Sequence, residues 1–428
     1  MNFLNLFVHH LIWKRSTSHQ QNLYNHIYFS CLGICKGSLY QSPLLWENRQ
    51  FCSSCLNIRS IDSDLKKILF KREYILNSSS VNNQDDPPLG LLSYELLSNW
   101  KSEWWRSLLC TYKENHFLNQ PHTELSNKTL NIKKLHSECV FKNTLFNLIN
   151  KINLKINSPL SFIIKTVPAN STGDASPFSD ELIKHSAINE LLCIAVCVDE
   201  DNAVDKFENY SWLQTKWLRN YFRKPAKLQS LNNDCSIGLH ETCHYNSDEG
   251  KFVMQESFLL KNSFLQNSDC WKELHRILPH NTCELVVIIH PMKTFLLATF
   301  VDAYHTIKVR PGYNPTLLCL HRFLAPIKMA VVVEESQSSD KLILAGEICQ
   351  KIREMNISCW NAVDKKLLYS DLDQTGVVYS VVINDKTMKN GLVGIRNRDT
   401  SLSVITHVSE LFDKLHLYLA PPLVIDNK

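Results

Sequence analysis

Between residues 329 and 420 the chain alternates short apolar runs with segments of helical period. KMAVVV is followed by DKLILAGEICQKIREMN, ISCWNA by VDKKLLYSDLDQTG, and VVYSVVIN by KTMKNG, LVGIRNRD and SLSVITHVSELFDKLHLYL. A strand followed by a helix cannot fold straight back on itself, so the crossovers between KMAVVV, ISCWNA and VVYSVVIN imply parallel pairing. KTMKNG is too short for a crossover and implies an antiparallel return. An α/β domain with a mixed sheet is therefore expected at residues 320–428. Gly376 stands where the second of its helices should close.

Upstream the pattern is less regular. DSDLKKILFKREYILN, 62–77, and PLGLLSYELLSNWKSEWWRSLL both carry apolar residues at helical spacing, the second at Leu92, Leu96, Trp100 and Trp104. Residues 115–157, rich in Asn and Lys, read as an insertion. Residues 160–167 and 190–199 read as buried strands, the latter from its β-branched and cysteine content. A helix is expected over 211–228 and a polar loop over 230–250. Two antiparallel strands are expected at 284–290 and 294–301. A proline-punctuated connector, 311–326, leads into the α/β unit.

In LVGIRNRD side chains alternate across the sheet. Val393 and Ile395 should pack on helices, while Gly394, Arg396 and Arg398 point to the other face, and Asp399 or Thr400 should cap the last helix. Two guanidiniums beside a glycine suit an anionic partner such as phosphate or carboxylate. They would equally suit local acids such as Asp371, Asp373 or Asp413.

The sequence has 428 residues, 44% hydrophobic and 21% charged, with a formal net charge of only +4. Binding to nucleic acid would have to come from a local basic patch. The first acidic residue is Glu47. An acid-free, basic and amphipathic beginning, MNFLNLFVHHLIWKR, matches a mitochondrial transit peptide. Residues 1–60 are read as presequence and flexible arm. Of 15 cysteines, Cys31, Cys35, Cys52 and Cys55 have spacing near a zinc pattern but lie in or beside that presequence; most others sit singly in apolar runs. HETCH, His240 to His244, lacks the H-E-x-x-H spacing of a metal helix. No uninterrupted apolar segment is long enough to span a membrane.

The segments LHRFLAPIK (Leu320–Lys328), GVVYSVVIN and TMKNGLVGIRNRDT (Thr387–Thr400) resemble the anticodon-binding domain of class II aminoacyl-tRNA synthetases of the glycyl, prolyl, threonyl and histidyl group. They resemble still more the accessory-subunit family of the mitochondrial DNA polymerase, as do PLGLLSYELLSNWKSEWW and TKWLRNYFRKPAK. The resemblance implies a fold of two parts: a degenerate class II synthetase-like antiparallel-sheet domain (α+β) at 61–315, then an anticodon-binding-like α/β domain at 320–428. It implies a processivity factor in the mitochondrial matrix, at the nucleoid, that binds the polymerase catalytic subunit and duplex or primer-template DNA, with no cofactor or metal. Arg396, Arg398 and Asp399 are the candidate partner-binding residues. Vertebrate members dimerise through a long helical insertion. Here only about fifty residues separate the EWW helix from the next strand, and one apolar stripe (Val140, Leu145, Leu148, Ile152) is available, so a monomer is expected.

No catalytic residue is nominated. Activation of an amino acid by ATP needs phosphate-binding arginines, one of which follows a G-x-G-x-x-R segment in the synthetases. This chain has 11 glycines and no G-x-G, and the place of the motif reads FLLATFVDAYHTIKVRPGYN. A divergent class II synthetase or a tRNA-binding adaptor remains the alternative. The best basic segment is WLQTKWLRNYFRKPAK, with Lys216, Arg219, Arg223, Lys224 and Lys227 and no acid between Trp212 and Lys227. On a helix Lys216, Arg219 and Arg223 share one stripe, and Leu213, Trp217 and Tyr221 make the buried one. Such a stripe either neutralises DNA phosphates without reading sequence or is an ordinary solvated face.

Overall fold

The computed structural model describes residues 62–76, 89–111, 146, 156–157, 159–165, 190–235, 238–267, 272–280, 282–306, 316–334, 338–363 and 368–419. The presequence, its four cysteines and most of the insertion with its apolar stripe lie outside them.

The first part is built on a six-stranded antiparallel sheet of order β1-β2-β6-β5-β4-β3. Its strands are β1 (Leu160–Lys165), β2 (Glu190–Asp199), β3 (Leu228–Cys235), β4 (Gly238–Asn246), β5 (Lys251–Leu260) and β6 (Cys283–Pro291). Helices α1 (Ser63–Lys71), α2 (Leu91–Thr111), α3 (Ala203–Arg219) and α6 (Met292–Ala303) share a core with one face, while α4 (Asn262–Asn267) and α5 (Lys272–His275) pack on the other. The central strands β2 and β6 are therefore covered on both faces, which is why ELLCIAVCVD and CELVVIIHP are nearly continuous apolar runs. Trp100 sits at the middle of the helical layer. Its ring lies 4.8 Å from Phe295, 5.2 Å from Tyr221 and 5.7 Å from Trp217, and its Nε1 donates to Thr299 Oγ1 at 3.0 Å.

Three expectations fail in this part. Residues 292–303 form a helix rather than a strand. It is buried on nearly every side, so its sequence has no polar face to reveal the helical period. Its 12-residue length and the proline at its N-cap were the available signals. Most of 230–250, expected as a loop, lies in the antiparallel strands β3 and β4. Its outer strand is an edge with exposed side chains, so polarity hid the alternation. HETCH lies on β4, where His240 stacks on Phe258 at 4.4 Å. Among the described residues no group of three or more His, Cys, Asp or Glu could hold a metal. The helix placed at 211–228 runs instead from Ala203 to Arg219.

The second part holds a five-stranded sheet of order β10-β9-β11-β12-β13: β9 (Met329–Val333), β10 (Cys359–Asn361), β11 (Tyr379–Ile383), β12 (Leu392–Asn397) and β13 (Ser403–His407). β9 pairs parallel with β10 and β11, and β11 antiparallel with β12, as the alternation required. Helices α7 (Ser339–Glu354) and α10 (Val408–Leu419) cover one face. α8 (Tyr369–Thr375) packs on the other and ends at Gly376, whose φ of +79° is the left-handed closure expected there. KTMKNG contains a short helix, α9 (Asp385–Asn390). Thr400 and Asp399 do not cap the last helix. Asn397 Oδ1 accepts from their N–H groups at 3.2 and 2.8 Å, and β13 intervenes before α10, which His407 caps through Ser409 N at 3.3 Å. The β-branched run Val404-Ile405-Thr406 was the overlooked signal.

The two parts are tied directly. β7 (Tyr304–Thr306) pairs with β8 (Thr316–Leu318), and the connector after it, Leu320 to Ala325, belongs to the first part's core. Tyr74 donates to Thr375 O at 2.9 Å, and Arg72 reaches both Asp371 and, at 2.7 Å, Gln374. Among the described residues no helix is long and apolar enough to cross a membrane.

Fully buried His290 lies 3.0 Å from Met254 O and 3.2 Å from Gln214 Oε1, and burial pushes its pKa down to about 4. The folded state thus resists a proton that the unfolded chain takes up near pH 6.5. The stability this histidine confers by staying neutral is complete above pH 6.5 and is lost as the pH falls towards 4, a total of about 3 kcal/mol. Denaturant unfolding across this range should give a shallower pH slope for His290→Gln than for wild type; equal slopes would refute the assignment.

Candidate nucleic-acid interface

α3 lays one face on β5, β6 and β2, with Tyr210, Ser211, Gln214, Thr215, Trp217 and Leu218 buried. Ser211, Gln255 and Ser257 form a buried polar network beneath it, Gln255 Nε2 donating to Ser211 Oγ at 3.0 Å and Ser257 Oγ at 2.8 Å. That network fixes the rotation of the helix. Leu213, Trp217 and Tyr221 do face inward, and Lys216 and Arg219 face solvent.

The expected stripe is interrupted after Arg219. Arg223 and Lys224 are not on the helix but on the turn that follows it, ahead of a single 3-10 turn at Pro225–Lys227. The buried carboxylate of Asp302, at the end of α6, accepts from Arg223 N at 2.6 Å, Lys224 N at 3.1 Å and the Tyr245 hydroxyl at 2.7 Å. A proline at 225 and two N–H groups captured at 223 and 224 explain why the helix cannot continue. The backbone of the turn is held to the core while both cationic side chains are exposed. Lys216, Arg219, Arg223 and Lys224 are exposed and Lys227 is half-buried. Trp212, one turn before Lys216, is 53% exposed, with Lys216 Nζ 4.8 Å from its ring centre.

Two arginines of the second part have local counter-groups. Arg396 makes a two-pronged pair with Asp373, at 2.8 and 2.9 Å, and its guanidinium lies 4.8 Å from the Tyr369 ring. Arg398 is buried. It donates to Gly376 O at 2.9 Å, Leu320 O at 2.8 Å and Asp399 Oδ1 at 2.8 Å. Of the two roles open to these arginines, pairing within the chain is the one the geometry displays, and Arg398 braces the connector at Leu320. Only Asp399 of the three candidate partner-binding residues is exposed. Burial raises its pKa, but Arg398 beside it, with Cys319 and Arg223, brings it below the ordinary carboxylate range. By contrast, Arg219, Arg223, Lys224 and Lys227 make no side-chain ion pair or hydrogen bond among the described residues.

Arg223 and Asp399, 176 positions apart, thus feel each other's charge, and the two sets of candidate residues converge on the junction between the two parts. His305 is shifted down by burial and then by Arg223 and Lys224; His321 is pushed down to about 4 by burial and then by Arg322, Arg398 and Arg106. Sequence reasoning missed both histidines, since nothing in the chain's order places them beside those cations. It also missed the apolar edge at β13, where Leu402, Val404 and Ile405 are 71%, 50% and 65% exposed.

Comparison with known proteins matches residues 343–416 to the anticodon binding domain family. A 119-residue segment is 33% identical to the mitochondrial DNA polymerase subunit gamma-2 of Xenopus laevis, covering 26% of either chain. A 117-residue segment is 31% identical to the corresponding Drosophila melanogaster protein, covering 24% of this chain and 32% of that one. A glycine–tRNA ligase of Clostridium kluyveri is 29% identical over 118 residues, 28% of this chain and 25% of the ligase. The matched segments span about a quarter to a third of these relatives' length. The chain carries an anticodon-binding domain and is related, through these segments, to the accessory subunits of mitochondrial DNA polymerase and to the glycyl-tRNA ligases.

Proposed function

We propose that this protein is a non-catalytic accessory subunit of the mitochondrial DNA polymerase, acting in the mitochondrial matrix. In this reading it binds the catalytic subunit and DNA and raises processivity. Residues 61–315 are a degenerate class II synthetase-like domain, 320–428 an anticodon-binding-like domain, and 1–60 a presequence and arm. The observation that supports the DNA part is the run of exposed cations Lys216 and Arg219 on α3 and Arg223 and Lys224 on the turn after it, the turn's backbone being held by Asp302. Exposed cations on a fixed backbone suit phosphates, which position a duplex without specifying sequence. Duplex DNA should therefore bind without sequence preference and weaken steeply with salt. Replacing Arg219, Arg223 and Lys224 together by Ala should reduce the slope of log K against log salt by about 2 to 3. An unchanged slope would move the DNA surface elsewhere.

The glycyl-tRNA ligase relatives favour a second reading, an active or divergent synthetase. Against it stands α6: Phe295, Leu296, Leu297 and Phe300 are packed in the core where a glycine-rich, phosphate-approaching segment would be needed. Large buried side chains there leave the backbone no route to a nucleotide. The protein is expected to exchange no pyrophosphate into ATP with any amino acid. Amino-acid-dependent exchange by the pure protein would overturn the proposal in favour of the synthetase.

For the catalytic subunit, the anticodon-binding-like domain is the proposed contact. Its 13 Lys and Arg in 320–428 balance 13 Asp and Glu, which disfavours a purely electrostatic nucleic-acid role. Since Arg396 and Arg398 are engaged inside the chain, the contact is assigned to exposed Asp399 and the adjoining edge at Leu402, Val404 and Ile405. An unpaired β-branched edge is a template for another chain. Ile405→Asp together with Leu402→Asp should cut co-purification with the catalytic subunit and the stimulation of primer extension by at least tenfold. The wild-type complex should sediment as one copy of each subunit. Full stimulation by the double variant would place the contact elsewhere.

A further inference from the structure

One face of α3 changes character along its length. Asp205, Glu208, Trp212, Lys216 and Arg219 follow at steps of three or four residues and so lie on the same side of the helix. All five are exposed. The first two are acidic, the last two basic, and the indole stands at the change of sign. Beyond Arg219 the cationic track continues through Arg223 and Lys224, whose positions Asp302 fixes. A phosphate backbone is attracted to the C-terminal half of this face and repelled from the N-terminal half. A duplex running the full length of the helix would carry its phosphates over Asp205 and Glu208. A strand that ends or parts from its complement near Trp212 would not.

Trp212 is itself out of keeping with a purely electrostatic surface. Its neighbours Tyr210 and Trp217 are buried, as are Tyr221 and Phe222 beyond the helix, whereas Trp212 is 53% exposed with a lysine ammonium 4.8 Å from its ring centre. Phosphate binding needs no aromatic ring. An aromatic beside a cationic track is the arrangement that binds unstacked bases, because every base offers a π-face and the lysine meets the neighbouring phosphate. We infer that Trp212 stacks on an unpaired base, and that the surface is built for DNA at a junction between single and double strands rather than for continuous duplex. This rests on the reading of Lys216, Arg219, Arg223 and Lys224 as a DNA surface and adds to it the kind of DNA taken.

The test uses the full mature protein and two labelled probes of equal duplex length, one blunt and one with a 5′ overhang, followed by fluorescence anisotropy at fixed salt. Wild type should bind the overhang probe about fivefold or more tightly than the blunt one. Trp212→Ala should reduce the overhang affinity to the blunt value and leave blunt binding unchanged, and Trp212→Phe should keep most of the preference. Because Trp212 lies outside the hydrophobic core, circular dichroism should be the same for all three. No preference in wild type, or a preference that survives Trp212→Ala, overturns the inference. So does a Trp212→Ala variant that loses the catalytic subunit while its DNA binding is intact, since the ring would then be a protein contact. The two levels separate through the Arg219, Arg223 and Lys224 triple variant. If its blunt-duplex salt slope equals wild type, the DNA surface itself is misplaced; if the slope falls but Trp212 is without effect, only the stacking fails.

Discussion

The carboxylate of Asp302 ties together three segments that are remote along the chain. It closes the buried helix α6, takes the N–H groups of Arg223 and Lys224, and accepts from Tyr245 on β4. Hydrogen bonds to a charged group contribute about 1.5–3 kcal/mol each, and leaving such a carboxylate buried without them would cost more. The immediate neighbour of Asp302, Ala303, accepts from Cys319 N at 2.7 Å, so the start of the connector is set from the same helix end. The basic turn, the sheet and the approach to the second domain are therefore positioned by one short segment.

Arginine serves two opposite ends here, and burial separates them. Arg398 and Arg396 are enclosed, and each guanidinium is matched by acceptors from the chain itself. Their contribution is to hold β12, α8 and the connector in one arrangement. Arg219 and Arg223 have the same chemistry but stand at the surface without counter-ions, so their charge is left to act outward. His305 is shifted down chiefly by burial, with Arg223 and Lys224 adding to it, and the charge of Arg223 reaches Asp399. The two parts also share an apolar core, in which Leu320, Phe323, Leu324 and Val378 pack with the first part's residues.

Legibility in the sequence followed the environment of each element. The strands and helices of the second part were legible because short apolar strands alternate with segments of helical period, and the parallel and antiparallel pairings followed from connection length. α6 concealed its nature because burial on all sides erases periodicity. β3 concealed its nature because it is an edge strand with exposed polar side chains, β4 because polar residues such as His240, Glu241 and Thr242 interrupt its apolar pattern, and β13 was absorbed into a helix because its five residues run straight into one. Within the candidate interface, the inward line of Leu213, Trp217 and Tyr221 was readable at helical spacing. The end of the helix at Arg219 was not, since the group that ends it lies 79 positions away from Arg223.

What the sequence by itself determined is the parallel and antiparallel pairing of β9 to β12, the left-handed closure at Gly376, the inward positions of Val393 and Ile395, and the presence of a basic segment free of acids. These depend on neighbours within a few residues, on connection length and on the two backbone periods. Only the tertiary structure decided which cations remain available. Whether Arg396 meets Asp373, whether Arg398 turns inward to Leu320, and whether Arg223 is held outward by Asp302 are questions of distance between segments remote along the chain. A guanidinium is drawn to whatever acceptor the fold brings within about 3 Å, and that is set by packing, not by the residues beside it.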